Sequence, residues 1–248
     1  MKLILENWRK YINESEEVDP EVTSVPTHKK YPRTFHLPWS LSRTEDDKTL
    51  SQEAVDQMFA GKEVVVTEKL DGENTTIYSD GYCHARSVDS RHHPSRSVVK
   101  ALAASVACDL PAGWRLMGEN LYAKHSIEYN KLPSYFILFA IADENNQSLS
   151  WNDVEEYAEL LELNTAPVIY RGLWNEDAIK ALWPFPSSFG GHSEGYVVRT
   201  VSGFSIENFP NHVAKFVRSG HVQTKKHWMH TQVVPNILGL GGSDETPI

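Results

Sequence analysis

The chain has 248 residues, 40% of them hydrophobic and 23% charged, the balance of a soluble globular protein long enough to bury a core without covalent staples. No stretch approaches the ~18 uninterrupted apolar residues of a membrane span, and two cysteines, Cys83 and Cys108, are too few for a disulfide scaffold or a structural zinc site. A formal net charge of -9 argues against coating nucleic acid through bulk charge, yet leaves room for a local basic groove.

In chain order, residues 1–20 mix apolar residues with Glu6, Glu14, Glu16, Glu17 and Asp19, which fits no secretory signal; a reducing cytoplasm is expected. Pro20, Pro26, Pro32 and Pro38 are spaced so that no long helix runs through the first 50 residues. These read as an extended wrap on the core. Thr49 and Gln52 offer a capping box for a helix ending near Gly61. Residues 63–69 and 74–78 have strand composition, and Asp80-Gly81 is a hairpin signal leading into a strand over 82–87. Helical composition over 95–107 precedes strands over 114–122 and 135–142, the second almost wholly apolar and so central. Ser150 and Asp153 start a helix running to about Leu163. A shorter helix over 175–182 and a loop over 184–191 lead to the last strands, 194–200 and 212–218, joined around Ser202-Gly203. From Gly239 onward the tail reads as frayed. Strands and helices interspersed with hairpins predict an α+β fold, with antiparallel sheets flanked by helices.

Charge is unevenly spread. Residues 1–21 hold six acids against Lys2, Arg9 and Lys10. Residues 84–100 carry Arg86, Arg91, Arg96 and Lys100 against Asp89, with His84, His92 and His93. Residues 211–230 carry Lys215, Arg218, Lys225, Lys226 and four histidines without an acid. If these two basic segments converge, they form an anion-binding groove.

The most informative string is Glu68-Lys69-Leu70-Asp71-Gly72-Glu73-Asn74, between two predicted strands. A strand-end lysine beside an Asp-Gly turn presents its amine to a cleft. Lysine is a nucleophile only when neutral, and reaching neutrality at pH 7 from ~10.4 costs roughly 4.6 kcal/mol. A site that uses it must supply desolvation, a nearby cation or a bound metal. The bland alternative is a hairpin turn with a solvated lysine.

Lys69-x-Asp71-Gly72-x-Asn74 resembles the nucleotidyl-lysine motif of covalent nucleotidyltransferases, the ATP-dependent polynucleotide ligases and mRNA capping enzymes. Further resemblances follow in that superfamily's order: Ala85-Arg86-Ser87, Gly118-Glu119-Asn120-Leu121-Tyr122, the apolar run ending Phe139-Ala140-Ile141, Glu194-Gly195-Tyr196-Val197-Val198-Arg199, and Val213-Ala214-Lys215-Phe216-Val217-Arg218. The pattern is most similar to RNA ligase 2-type enzymes; Asn74, where capping enzymes typically have Arg, favours ligase over guanylyltransferase.

The resemblance implies an ATP-grasp-like nucleotidyltransferase domain over residues 51–220, with 1–50 part of the same domain and 221–248 a short extension without an OB-fold. It implies Lys69 as the nucleophile toward ATP and Glu119 on the nucleoside sugar. Phe139 would stack on adenine, Glu194 would serve Mg²⁺ or Mn²⁺, and Lys215 would reach the α-phosphate. Glu68, Asn74, Arg86 and Arg218 complete the expected ATP contacts. RNA with 5′-phosphate and 3′-hydroxyl ends is the implied partner, with an end-healing or clamp protein as a further one and no membrane. Arg91, Arg96, Lys225 and Lys226 are the expected RNA contacts. Two departures stand out. The usual Lys-x-Lys is here Lys215-Phe216-Val217 with Arg218 next, and the usual Phe-Asp-Ile is Phe139-Ala140-Ile141. The rival readings are a DNA ligase or guanylyltransferase core working with a partner domain, and a catalytically silent nucleic-acid-binding module. His227 and His230 at i, i+3 suit phosphate contact or packing better than a metal.

Overall fold

The structure, a computed structural model, describes residues 28–42, 47–90, 93–220 and 233–239. Its strands and helices run β1 (Phe35–His36), α1 (Gln52–Phe59), β2 (Glu63–Lys69), β3 (Glu73–Tyr78), β4 (Cys83–Ala85) and α2 (Ser97–Val106). Then come β5 (Arg115–Asn120), β6 (Phe136–Ala142), β7 (Gln147–Ser148), α3 (Trp151–Leu160), β8 (Asn164–Thr165) and β9 (Val168–Leu173). The chain continues through α4 (Glu176–Lys180), β10 (Gly195–Thr200), β11 (Phe204–Ser205) and β12 (Val213–Val217). One sheet has the order β1-β12-β10-β2-β9, and the other β11-β7-β6-β5-β3-β4 with β8 beside β6. Among the described strands only the β1–β12 and β6–β8 pairs are parallel, so the α+β expectation holds, with β6 inside its sheet.

The valine run of β2 explains how the sheets meet. Val64 and Val66 pack with Val55, Phe59 and Tyr196 on one face. Val65 points the other way, into a core with Leu138, Ile141 and Trp151 of the second sheet and α3. A strand buried on both faces is apolar continuously instead of alternating. Two and four residues beyond Val65, on the same face by the two-residue period, Thr67 and Lys69 leave this core and line a cleft between the sheets.

The helices follow their caps. Ser150 Oγ accepts from Asp153 N at 3.2 Å and Asn175 Oδ1 from Ala178 N at 3.0 Å. At α1 the cap is Ser51, whose Oγ accepts from Ala54 N at 3.2 Å, and not Thr49, which instead bridges to His36 of β1. The helix expected over 95–107 opens as a 3₁₀ turn at Pro94–Arg96 before α2 begins. Strand β9 escapes the sequence pattern because it is a half-exposed edge strand interrupted by Arg171-Gly172. Order persists at the described end: Asn236 is buried, accepting from Tyr129 N at 2.9 Å and donating to Leu121 O at 2.8 Å. Gly239 N donates to Leu132 O at 2.8 Å. No described helix is long and apolar enough to cross a membrane.

Candidate active site

Lys69 closes β2, and residues 70–72 carry the chain from the first sheet into the second, where β3 begins. The Asp-Gly pair is therefore an inter-sheet crossing and not a hairpin turn. Its geometry depends on both residues. A Cβ on Gly72 would lie 2.6 Å from Asn120 O and 2.7 Å from Leu121 Cδ2, closer than any side chain tolerates. Asp71 Oδ2 accepts from Ser126 N, Ser126 Oγ and Ile127 N at 2.8, 2.7 and 2.9 Å, and Asp71 N donates to the Tyr129 hydroxyl at 2.8 Å. Asp71 is thus anchored to the neighbouring loop and fixes the crossing that aims Lys69.

Lys69 Nζ lies 2.5 Å from Glu194 Oε2. The carboxylate is delivered by the approach of β10 to β12. Gly195, at φ 153°, sits where a Cβ would be 2.0 Å from Phe216 O, so glycine is required directly after Glu194. Gly195 also faces Lys69 across the β2–β10 ladder. Burial pushes the Lys69 ammonium down, but Glu194, Glu119 and Asp71 together outweigh it and hold the lysine above its ordinary value. The amine is protonated in this state.

Glu119, on β5 opposite Asn74 of β3, accepts from Gly72 N at 3.2 Å. Burial low in the cleft pushes its carboxyl up to about 8; Lys69 pulls it down and Glu194 adds to the rise. Glu119 retains some exposed surface through the cleft mouth, so it is a carboxyl in a crowded, open site and not one sealed in the core. Glu68 is buried; its Oε2 accepts from Ser188 N at 2.9 Å, while among the described residues Oε1 has no partner, and neither does the buried Oδ1 of Asn74. Both side chains line the cleft and offer acceptors to a ligand, since buried acceptors left unpaired are costly.

The cleft has a volume of about 1010 Å³. Phe139 lines it, half-buried, with Tyr31 edge-on at 5.3 Å between ring centroids and 65°, and Phe209 beyond Tyr31 at 5.2 Å. Lys215 faces it from β12 opposite Val197, 3.6 Å from Asp47 Oδ1. Burial and then the charge of Lys69 push Lys215 below its ordinary value, with Asp47 and Glu194 opposing. Arg86 is exposed on the rim. The two basic segments do share one cleft, through Arg86 and Lys215.

Two expected contacts are placed differently. Lys215 and Val217 line the cleft and Arg218 does not; its backbone N donates to Glu194 O at 3.0 Å. The second cation of the usual Lys-x-Lys falls at Val217, because side chains alternate along a strand. Arg96 lines the cleft but is held by Glu73, with Nε donating to Oε2 at 2.7 Å and a terminal nitrogen to Oε1. That bidentate pair uses one edge of the guanidinium. Arg91, Lys225, Lys226, His227 and His230 lie outside the described residues. Tyr31, His36 and Asp47 are cleft residues that motif spacing does not reveal. The one sequence signal is the proline-spaced wrap itself, an extended segment that must lie on the core.

Among the described residues no cluster of three histidine, cysteine or carboxylate side chains could hold a metal by itself. A single carboxylate completed by phosphate oxygens and water suits Mg²⁺, which dehydrates reluctantly. Glu194 fits that role.

Two sheets meeting at a lysine-bearing crossing, with carboxylates below it and aromatics beyond, define a ligase-type nucleotidyltransferase fold. The RNA ligase family profile matches residues 62–217; the chain belongs to the RNA ligase family. Its fold is similar to that of the Naegleria gruberi RNA ligase with PPi, at TM-score 0.55 and 18% identity over 84% of this chain and 64% of that one. A mutant of the same ligase with ATP and Mn gives TM-score 0.53 and 20% identity, over 77% and 59%. An archaeal ATP-dependent RNA ligase gives 0.50 and 19%, over 77% and 49%. The chain thus spans about three-fifths of the Naegleria protein and half of the archaeal one. No curated protein matches the sequence significantly.

Proposed function

We propose that the protein is an ATP-dependent RNA ligase that works through a lysyl-AMP intermediate on Lys69. The observation that carries this reading is the 2.5 Å contact between Lys69 Nζ and Glu194 Oε2 at the foot of a cleft lined with phosphate-binding and purine-stacking side chains. Once deprotonated, the Lys69 lone pair attacks the α-phosphorus of ATP. The N–P bond forms as the bond to pyrophosphate breaks. AMP passes next to an RNA 5′-phosphate, and a 3′-hydroxyl then displaces AMP to join the strands.

The resting pair is inactive because Glu194 keeps the amine protonated. Mg²⁺ or Mn²⁺ with ATP would supply positive charge at Glu194, which turns its attraction for the lysine proton into a deficit. Lys215 neutralises charge on the phosphates, and positioning with charge neutralisation is most of what phosphoryl transfer needs. Phe139 offers its ring to the purine. Among the described residues Oε1 of Glu68 has no partner, and it can accept a hydrogen bond from an amine of the purine. Glu119 and Asn74 are placed for the ribose.

The experiment is incubation of the protein with α-labelled ATP or GTP, divalent metal and no RNA. Label from ATP on Lys69, chased by 5′-phosphorylated RNA into a sealed product, is expected. Label from GTP alone would make it a guanylyltransferase; sealing of DNA but not RNA ends would make it a DNA ligase. No label from either would leave a silent module.

A further inference from the structure

The segment before α1 lines the cleft, and Asp47 brings it to Lys215. Asp47 uses its two oxygens separately, Oδ1 at 3.6 Å from Lys215 Nζ and Oδ2 at 3.4 Å from His36 Nε2. His36 is buried and pairs in register with Lys215 across the parallel β1–β12 ladder. Its Nδ1 lies 2.8 Å from Ser40 Oγ, which in turn accepts from Val217 N at 3.0 Å.

One chain of contacts runs through these groups. Val217 N–H donates to Ser40 Oγ, Ser40 Oγ and His36 Nδ1 share one hydrogen bond, and His36 Nε2 lies 3.4 Å from Asp47 Oδ2 as a close polar contact without hydrogen-bond geometry. Asp47 then faces the Lys215 ammonium. The chain starts on the backbone of β12 and returns to a side chain of the same strand two residues earlier.

We infer that Asp47, held by His36 and Ser40, is a positioning residue that aims the Lys215 ammonium at the phosphate site and keeps it charged there. This rests on the ligase reading above. A lysine has a flexible stem rich in rotamers, and without a partner its four carbons would sample the open cleft. The charged and titratable groups facing Lys215 are Lys69, Glu194, Asp47 and the neighbouring His36. Lys69 repels its charge, and Glu194 is already taken up by Lys69. Asp47 is the counter-charge supplied by a separate segment of the chain.

Asp47→Asn, Asp47→Glu and Asp80→Asn test this together. Asp80 anchors the same segment elsewhere, 3.2 Å from His28 Nε2, so its replacement loosens the wrap without touching Lys215. With saturating ATP, single-turnover adenylylation of Asp47→Asn should fall about tenfold or more, the scale of a misaimed group. Its alkaline limb should move to lower pH. Asp47→Glu should recover most of the rate, and Asp80→Asn should keep both rate and profile. Competitive acetylation of the ATP-free protein gives a second readout: Lys215 should be modified faster in Asp47→Asn than in wild type. Equal acetylation, an unchanged pH profile, or the same losses in Asp80→Asn would overturn the assignment of Asp47. Wild-type protein that takes no label from ATP would overturn the ligase reading instead, and the acetylation of Lys215 would still judge Asp47.

Discussion

Two ion pairs line the same cleft and are built oppositely. Lys69 and Glu194 meet at one point, from strand ends on the first sheet, with side-chain exposures of 23% and 4%. Glu73 of the second sheet and Arg96 of the 3₁₀ turn before α2 meet through two contacts, each side chain 10% exposed. A single contact between a flexible amine and one carboxylate oxygen can be exchanged for a bound ligand. A bidentate guanidinium–carboxylate pair, walled in on both sides, resists exchange. The charge on one wall is held ready for chemistry, and that on the other holds the wall in place.

The largest expected effect breaks the first pair. Lys69→Ala and Lys69→Arg should each lower covalent AMP capture more than about 10³-fold, since Lys215, also on the cleft, is paired with Asp47 and placed for the phosphates, and guanidinium stays protonated. The melting temperature of Lys69→Ala should also fall, because the buried Glu194 carboxylate loses its counter-charge; Lys69→Arg, which keeps the charge, should melt closer to wild type. Appreciable labelling of either variant would remove Lys69 from its role.

Breaking the second pair should cost stability and spare the chemistry. Arg96→Ala leaves Glu73 with an uncompensated, nearly buried charge, a loss of about 3 kcal/mol in unfolding free energy. Adenylylation per folded molecule should remain near wild type. Denaturant titration beside single-turnover kinetics measures both. A stable Arg96→Ala protein with lost RNA sealing would restore Arg96 to the RNA path.

Phe139→Ala should raise the ATP concentration needed for half-maximal labelling about tenfold, from the ~1–3 kcal/mol of base stacking on an aromatic ring. The rate at saturation should change less. A fall in saturated rate with unchanged ATP dependence would show Phe139 shaping the Lys69 side of the cleft instead.

The smallest effect is one of pH. Lys69 is raised on folding, so its pair contributes stability that is present below about pH 10.4 and is lost as pH rises through the folded value. Glu119 acts with the other sign. Its folded value of about 8 lies above the ordinary 4.5, so between those values the folded state holds a proton that the unfolded chain releases, and stability falls as pH rises. Glu119→Gln should therefore unfold at a higher temperature than wild type at pH 8, with little difference at pH 4. Equal melting at pH 8 would mean that Glu119 is solvated well enough to ionise freely.

Motif order brought Lys69, Glu119, Phe139, Glu194 and Lys215 to one cleft because each sits on, or directly beside, a strand whose period fixes its direction. The valine run of β2 and the caps at Ser150 and Asn175 were legible for the same local reason. What was not legible depends on contacts across the chain. Arg96 reads as a free cation until the fold brings Glu73 to it. Arg218 reads as an ATP contact beside Lys215 until strand alternation assigns the second cation's place to Val217. Tyr31, His36 and Asp47 carry no motif, since their partners come from β6, β12 and the 3₁₀ turn holding Phe209. The edge strand β9 has too little burial to leave a pattern.

The parallel pairing of β1 with β12 also bears on how the protein is made. Ser40 and Val217 are 177 positions apart, which at ~5–20 residues per second leaves the first segment roughly 10–35 s without its partner during synthesis. For that interval Tyr31, Phe35, Leu37 and Trp39 are sticky, unpaired chain. Pro32 and Pro38 bracket β1, a strand only two residues long, and prolines beside a short edge strand discourage pairing with a stranger. The same prolines that forbid a helix there would act as chaperones written into the sequence, keeping the segment available until the last strand leaves the ribosome.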